Sequence, residues 1–189
     1  AKDFGESLNN AQEEIKQLRE KLKSSRKEAL VDELTGALNR RAFNEDLNQL
    51  VDAGSAKSSL IICDIDHFKK FNDAHGHLLG DQVLKVVAKR LSVDGGVAAT
   101  AYRFGGEEFA ILVPEGGIKV ASKLAEQLRK SIERLVIKDK KSQKKIAKIT
   151  CSFGVAQLVP GLTNFSLIEL ADSRLYQAKK SGRNRVVIG

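Results

Sequence analysis

Several absences narrow this sequence before any motif does. It has two cysteines in 189 residues, Cys63 and Cys151. Each sits in an apolar, strand-like run, and their spacing is not that of metal ligands. This excludes a disulfide framework and suits buried thiols in a reducing compartment. No apolar run approaches the roughly 18 to 20 residues of a membrane span, and the N-terminal stretch is charged where a signal peptide would be apolar. The expectation is a cytoplasmic fragment with no span of its own, whatever tethers the full-length protein. Internal repeats, low-complexity blocks and a Gly-rich phosphate cradle of the P-loop or dinucleotide type are all missing. His75 and His77 lack a third ligand in a zinc pattern.

The composition, 42% hydrophobic and 30% charged, is that of a soluble globular protein. The formal charge is 32 − 24 = +8. Much of the excess lies in Lys138, Lys140, Lys141, Lys144, Lys145 and Lys148, crowded into eleven residues. Without interleaved aromatics or an Arg-rich helix this reads as a solvated loop, and nucleic acid is not expected as a partner. A basic surface still favours small anionic ligands, nucleotides included.

Taken in order, Leu8, Ala11, Ile15, Leu18, Leu22, Ser25 and Ala29 step alternately by 3 and 4. That a/d seam predicts a helix over residues 1–31 that pairs as a parallel dimeric coiled coil; a single amphipathic helix packed on its own domain is the alternative. A turn with Gly36 breaks the heptads, and residues 32–189 form the second unit. Within it, a helix is expected from Arg40 to Val51 on Phe43, Leu47 and Leu50, and a buried strand at Leu60–Cys63. A helix over Asp81–Ser92 buries Val83, Leu84, Val87 and Leu91. A hairpin turning at Gly105-Gly106 follows, closed by a two-residue turn whose positive φ glycine supplies. Next come a helix over Ile118–Val136, a strand over Ile146–Val159, a helix capped by Ser166 and Glu169 and running to Lys180, and a last strand at Arg185–Ile188. The order β-α-β-β-α-β predicts an α+β, ferredoxin-like or palm fold: one mostly antiparallel sheet with helices on one face.

Three constellations carry chemistry. Asp64-Ile65-Asp66 leaves a buried strand next to where the hairpin lies in such a sheet, so Asp64 could meet Glu107 and hold a divalent ion; otherwise Asp64 caps the next turn and Asp66 is solvated. Glu107 and Glu108 are adjacent on a strand, so at most one of them shares a face with a given partner. Asn72, in the run to Asp81, pairs a donor and an acceptor with the acceptor-only Asp81, which suits the edge of guanine; the plain reading is a turn and an Asp-capped helix. Lys179 and Arg183 flank Gly182 at a helix C-terminus, where they either complement the helix dipole or hold phosphates.

Together these segments closely resemble the GGDEF family of diguanylate cyclases. The likeness runs from Asp32 to Val187 through five ordered motifs: Leu-Thr-Gly-x-x-Asn-Arg-Arg from Leu34, Asp-Ile-Asp-His-Phe-Lys from Asp64, Gly-His-x-x-Gly-Asp from Gly76, Gly-Gly-Glu-Glu-Phe from Gly105, and Ala-Lys-x-x-Gly-Arg-Asn-Arg from Ala178. The resemblance implies a palm nucleotide-cyclase fold and the condensation of two GTP into cyclic di-GMP and two pyrophosphates. It implies Mg²⁺ or Mn²⁺, two per half-site, on Asp64, Glu107, the carbonyl of Ile65 and Glu108. Glu107 would also help deprotonate the 3′-hydroxyl. Asn72 and Asp81 would read guanine. Lys69, Lys179, Arg183 and the backbone amides around His67 and Phe68 would hold phosphates, and Gly105 and Gly106 would leave room for the nucleotide.

The implied partners are GTP, a second copy of the chain meeting it through the N-terminal helix and the active-site face, and an upstream sensory domain, in the bacterial cytosol. The alternative is a non-catalytic GTP or cyclic di-GMP receptor that keeps the fold. One departure stands out. Product-inhibited family members carry Arg-x-x-Asp separated by five residues from the first signature glycine; here that window reads Gly96-Val97-Ala98-Ala99. No feedback through that site is expected.

Overall fold

β1 (Ser59–Ile65) is buried at every position, because strands flank it on both edges and helices cover it above and below. The structure, a computed structural model, describes residues 12–21, 29–54, 56–92, 96–138 and 145–189. The chain divides into two compact units, Ala1–Val31 and Asp32–Gly189. In the first, residues 12–21 form the helix α1, on which Ile15 and Leu18 are exposed. Ala29 lies in a turn, and the seam positions Leu8, Ala11, Leu22 and Ser25 fall outside the described residues. Among the described residues no helix is long and apolar enough to cross a membrane.

The second unit runs α2 (Arg40–Asp52), β1, α3 (Phe68–His75), α4 (His77–Leu91), β2 (Thr100–Arg103), β3 (Glu108–Val113), α5 (Gly117–Glu133), β4 (Val136–Lys138), β5 (Lys145–Lys148), β6 (Cys151–Gln157), α6 (Asn164–Lys180) and β7 (Val186–Ile188). Five strands form one sheet in the order β2-β3-β1-β6-β7. All neighbours are antiparallel except β6 and β7. The α+β palm-like architecture follows.

Helices cover both faces, not one. Odd-numbered residues of the three central strands, Ile61, Cys63, Phe109, Ile111, Phe153 and Val155 among them, join Val83, Val87, Leu124 and Leu128 of α4 and α5 in one apolar cluster. The even face carries α2 and α6. The Phe43 ring meets that of Tyr102 edge-on at 5.5 Å. At Gly154 any side chain would collide with the α6 backbone at Ala171 and Leu175; only glycine lets α6 lie this close to the sheet. Alternation along a strand thus sorts residues between two cores, and a strand buried on both faces reads as one continuous apolar run.

Local departures from expectation have physical causes. The stretch Ile146–Val159 splits into β5 and β6, because the Thr150 carbonyl and hydroxyl both turn to Asp66, at 2.9 and 2.8 Å. β5 pairs with β4 in a separate two-stranded sheet. The α6 cap is Thr163, whose Oγ1 accepts the Ser166 amide at 3.1 Å, so the cap lies three residues before the one expected. α4 begins at His77 rather than Asp81, and Phe68–His75 forms a helix where only a turn was expected.

Candidate functional site

The C-terminal end of β1 gathers the charge. Asp64 is 5% exposed and receives the Lys179 ammonium at 2.8 Å. The β1–β3 register sets Asp64 directly opposite Glu108, so those two carboxylates share the α6 face of the sheet. Glu107 lies one residue before β3, in the turn, with its carbonyl facing the Ile65 amide at 3.4 Å. Burial, reinforced by Asp66, outweighs the pull of Lys179 and holds the Asp64 carboxyl above its ordinary range. Burial first and then the Asp64 charge raise Glu107 and Glu108 in the same way. Like charges opposite each other in a sheet are unfavourable, so this end of the sheet is built to receive positive charge.

The signature turn is wider than a two-residue hairpin. β2 ends at Arg103 and β3 starts at Glu108, and the amides of Phe104 and Gly105 both donate to the Glu108 carbonyl, at 2.9 and 3.1 Å. Neither Gly105 nor Gly106 has positive φ, which corrects the expected reason for glycine there. Their surroundings differ: a Cβ at Gly106 would meet nothing within 4 Å, whereas one at Gly105 would press on the Glu108 carboxylate, 2.7 Å from its Oε2. The turn is held from one side by Arg103, which donates to the Gly106 carbonyl at 2.8 Å and to both carboxylate oxygens of Asp32 at 3.0 and 3.2 Å. Asp32 in turn accepts from the amide and hydroxyl of Thr35, and Arg103 and Thr35 help hold its carboxyl below the usual range although burial opposes them. Arg40 caps the Phe104 ring at 4.7 Å.

α3 and α4 supply a second set. His67 is exposed and takes a left-handed φ of 58°, leaving α3 without a side-chain cap. The first-turn amides at Phe68 and Lys69 are therefore open to an anion. The Phe68 ring itself is buried, whereas the Lys69 side chain is exposed. Asn72 Oδ1 is buried with no partner among the described residues. Gly80 explains its position, since a Cβ there would collide with that oxygen. Asp81 follows on α4, half-buried.

At the other side, α6 ends at Lys180, and Gly182 with φ 112° turns the chain into Arg183. The Arg183 charge acts on Asp64. Asp64, Glu107, Glu108, Lys179 and Arg183 thus form one electrostatic group, while neither Asn72 nor Asp81 hydrogen bonds to it. Among the described residues no three His, Cys, Asp or Glu side chains converge as a metal site, which leaves Lys179 as the cation on Asp64.

Sequence reasoning missed Asp66. It is 8% exposed, accepting from Ser152 Oγ at 2.6 Å, Thr150 Oγ1 at 2.8 Å and the Asn184 amide at 3.0 Å. Its place two residues after Asp64 put it on the same face, which was a usable signal. It also missed Asp32 and Arg103, whose pairing across 71 residues has no local signature.

Comparison with known proteins gives a consistent neighbourhood. The model of the GGDEF domain, "Diguanylate cyclase, GGDEF domain", matches residues 29–185. Diguanylate cyclase VdcA of Vibrio cholerae is 48% identical over 180 residues, 95% of this chain and 53% of that protein. Diguanylate cyclase DgcP of Pseudomonas aeruginosa is 37% identical over 188 residues, 97% of this chain and 27% of that one. The chain therefore spans about half or less of these relatives. Among solved structures, the coiled coil and GGDEF domain of DgcB from Caulobacter crescentus in complex with c-di-GMP superposes with a TM-score of 0.89. It shares 34% identity, with 98% of this chain and 99% of that chain covered.

Proposed function

Because the chain belongs to the GGDEF-domain family of diguanylate cyclases, we propose that it condenses two GTP into cyclic di-GMP with release of two pyrophosphates. The observation that carries this reading is Asp64 facing Glu108 across the β1–β3 ladder, with Glu107 beside them and Lys179 already seated on Asp64.

Family members are in general metal-dependent nucleotidyltransferases, and the donors here fit a hard divalent ion. They are oxygens only, mutually repelling, and already paired with one cation. Asp64, Glu107, Glu108 and the Ile65 carbonyl would hold Mg²⁺ or Mn²⁺, two per half-site. Bound there, the ions supply positive charge for the α-phosphate and for the developing alkoxide.

The protein's own groups do the rest. The unpartnered Asn72 Oδ1 accepts from guanine, and Asp81 accepts from the ring and exocyclic N–H groups. The open amides at the start of α3, with Lys69, Lys179 and Arg183, hold the phosphates. Gly105 and Gly106 leave the space over the turn to the nucleotide. Glu107, in the turn rather than in the strand ladder, takes the proton of the attacking 3′-hydroxyl. That oxygen bonds to the α-phosphorus of the second GTP as pyrophosphate departs. Phosphoryl transfer of this kind rests on positioning and charge more than on covalent help. The product is two-fold symmetric, so two copies face each other with one GTP each, and the N-terminal seam is the element that brings them together.

The test is to incubate the protein with Mg²⁺ and GTP, or with ATP, and to chromatograph the products. Cyclic di-GMP from GTP alone is expected. A dimeric protein that binds GTP and makes no product would establish the receptor reading instead.

A further inference from the structure

We propose that Asn184, Asp66 and Arg129 form a positioning network that sets the backbone at Arg183 and so aims its guanidinium at the phosphates of the bound nucleotide. The inference rests on the reading of Arg183 as a phosphate contact.

Arg183 and Asn184 take left-handed φ values of 63° and 45° in succession. Asparagine visits that region readily; arginine does so only when its surroundings hold it there. Asn184 is held at three points. Its amide N–H donates to Asp66 Oδ2 at 3.0 Å, its Oδ1 accepts from Arg129 Nη1 at 2.9 Å, and its Nδ2 donates to Glu133 Oε1 at 3.0 Å. These partners come from the end of β1 and from α5, so the loop between α6 and β7 is pinned from two elements that do not adjoin it in sequence.

The partners are themselves fixed. Asp66 is clamped by Thr150 and Ser152. Arg129 makes a two-pronged contact with Glu126, at 2.8 Å for both prongs, and a third with Glu133 at 3.1 Å, before it reaches Asn184. The backbone of Arg183 is also used: its N–H donates to the Ala178 carbonyl at 3.0 Å, and its carbonyl accepts from Arg185 Nε at 3.1 Å. Only the guanidinium is left for a ligand, since among the described residues it makes no hydrogen bond. Asn184 and Arg129 touch no group of the proposed chemistry except through Arg183, whereas Asp66 also acts by its charge on Asp64, so the test is made at Arg129 and Asn184.

A double-mutant cycle in the full chain tests this. Affinity is measured by calorimetry for a GTP analogue with a methylene bridge between the α- and β-phosphates, which cannot turn over, and for GMP, which lacks the outer phosphates. Arg129→Met is expected to weaken the triphosphate analogue by roughly threefold to tenfold, the coupling of residues in one network, with GMP nearly unchanged. In an Arg183→Ala background the same substitution should add nothing. Where Arg129→Met does not fold, Asn184→Gly, which keeps the backbone conformation accessible but removes the amide group, completes the cycle. Equal losses for both nucleotides, or full additivity with Arg183→Ala, would overturn the inference while leaving Arg183 as a phosphate contact. An Arg183→Ala protein that binds the triphosphate as tightly as the parent would overturn both.

Discussion

Replacing Glu108 with glutamine separates what the facing carboxylates cost from what they do. Glu108 and Asp64 oppose each other in the ladder; burial first and then the Asp64 charge raise the Glu108 carboxyl above its ordinary value, while burial and Asp66 raise that of Asp64. A raised folded-state value means that the folded protein holds these protons more tightly than the unfolded chain does. Below the unfolded values, 3.8 for Asp64 and 4.5 for Glu108, both states are protonated and no penalty exists. As pH rises through the raised folded values the penalty grows, and above them it is complete. Directly opposed like charges in a sheet cost about 0.2–1 kcal/mol, and in a domain of this size 1 kcal/mol moves Tm by roughly 2–4 °C. Without divalent metal, Glu108→Gln should therefore melt up to about 4 °C higher than the parent at neutral pH, and the gap should close near pH 4, about where carboxylates protonate. Adding Mg²⁺ should raise the parent's Tm more than the variant's and abolish the advantage. The assay is thermal denaturation followed by circular dichroism across that pH range, with and without Mg²⁺. A metal-free variant at neutral pH that is no more stable than the parent would refute the reasoning.

Other substitutions probe separate parts. Gly80→Ala forces a methyl group onto Asn72 Oδ1; overpacking of this kind costs about 1–3 kcal/mol, and GTP affinity should fall more than stability does. A titration in which GTP binds normally would show that Asn72 does not read the base. Arg103→Ala removes the donors to Asp32 and to the Gly106 carbonyl, and should cost roughly 1.5–3 kcal/mol in urea denaturation along with turnover; an unchanged midpoint would mean the tie is idle. Leu18→Asp combined with Leu22→Asp should lower activity at dilute protein by separating the copies, and unchanged sedimentation and turnover would remove the seam from the mechanism. Cyclic di-GMP added to the reaction should leave its rate unaffected through residues 96–99, and a tight inhibitory site mapped there would contradict that.

Much of the fold was legible because its elements are strongly patterned. Phe43 and Leu47, or Leu124, Leu128 and Ile132, recur at helical spacing and are buried where expected. Coverage of both faces was legible only in part. Ile61 and Ile62 look alike in sequence, yet they belong to opposite cores, and the feature that brings α6 onto the second face is Gly154, a residue that carries no side chain to notice. The split of the strand at Thr150 was hidden for another reason: threonine favours strands, and here Asp66, 84 residues away, takes its carbonyl with a backbone N–H and its hydroxyl with a carboxylate oxygen. Candidate residues with local spacing, such as Lys179 and Arg183, could be singled out by reading along the chain. Asp32 and Arg103, whose pairing is tertiary, could not, and for Asp66 the spacing from Asp64 was a signal while its bond to Asn184 was not.

The two adjacent glutamates show how register adds what composition cannot. Alternation says only that one of them faces Asp64. The β1–β3 pairing makes that residue Glu108, fixed by strand geometry on the α6 face where Asp172 and Lys179 also act on it. Glu107 precedes the strand and is free of the ladder's alternation, yet it still senses Asp64 and Lys179. A side chain locked into a sheet suits a group that must hold a cation at one distance. A side chain on a turn, bounded by glycines and held from behind by Arg103, can follow a substrate atom as it moves. The division of labour proposed for the two acids therefore follows from where β3 begins.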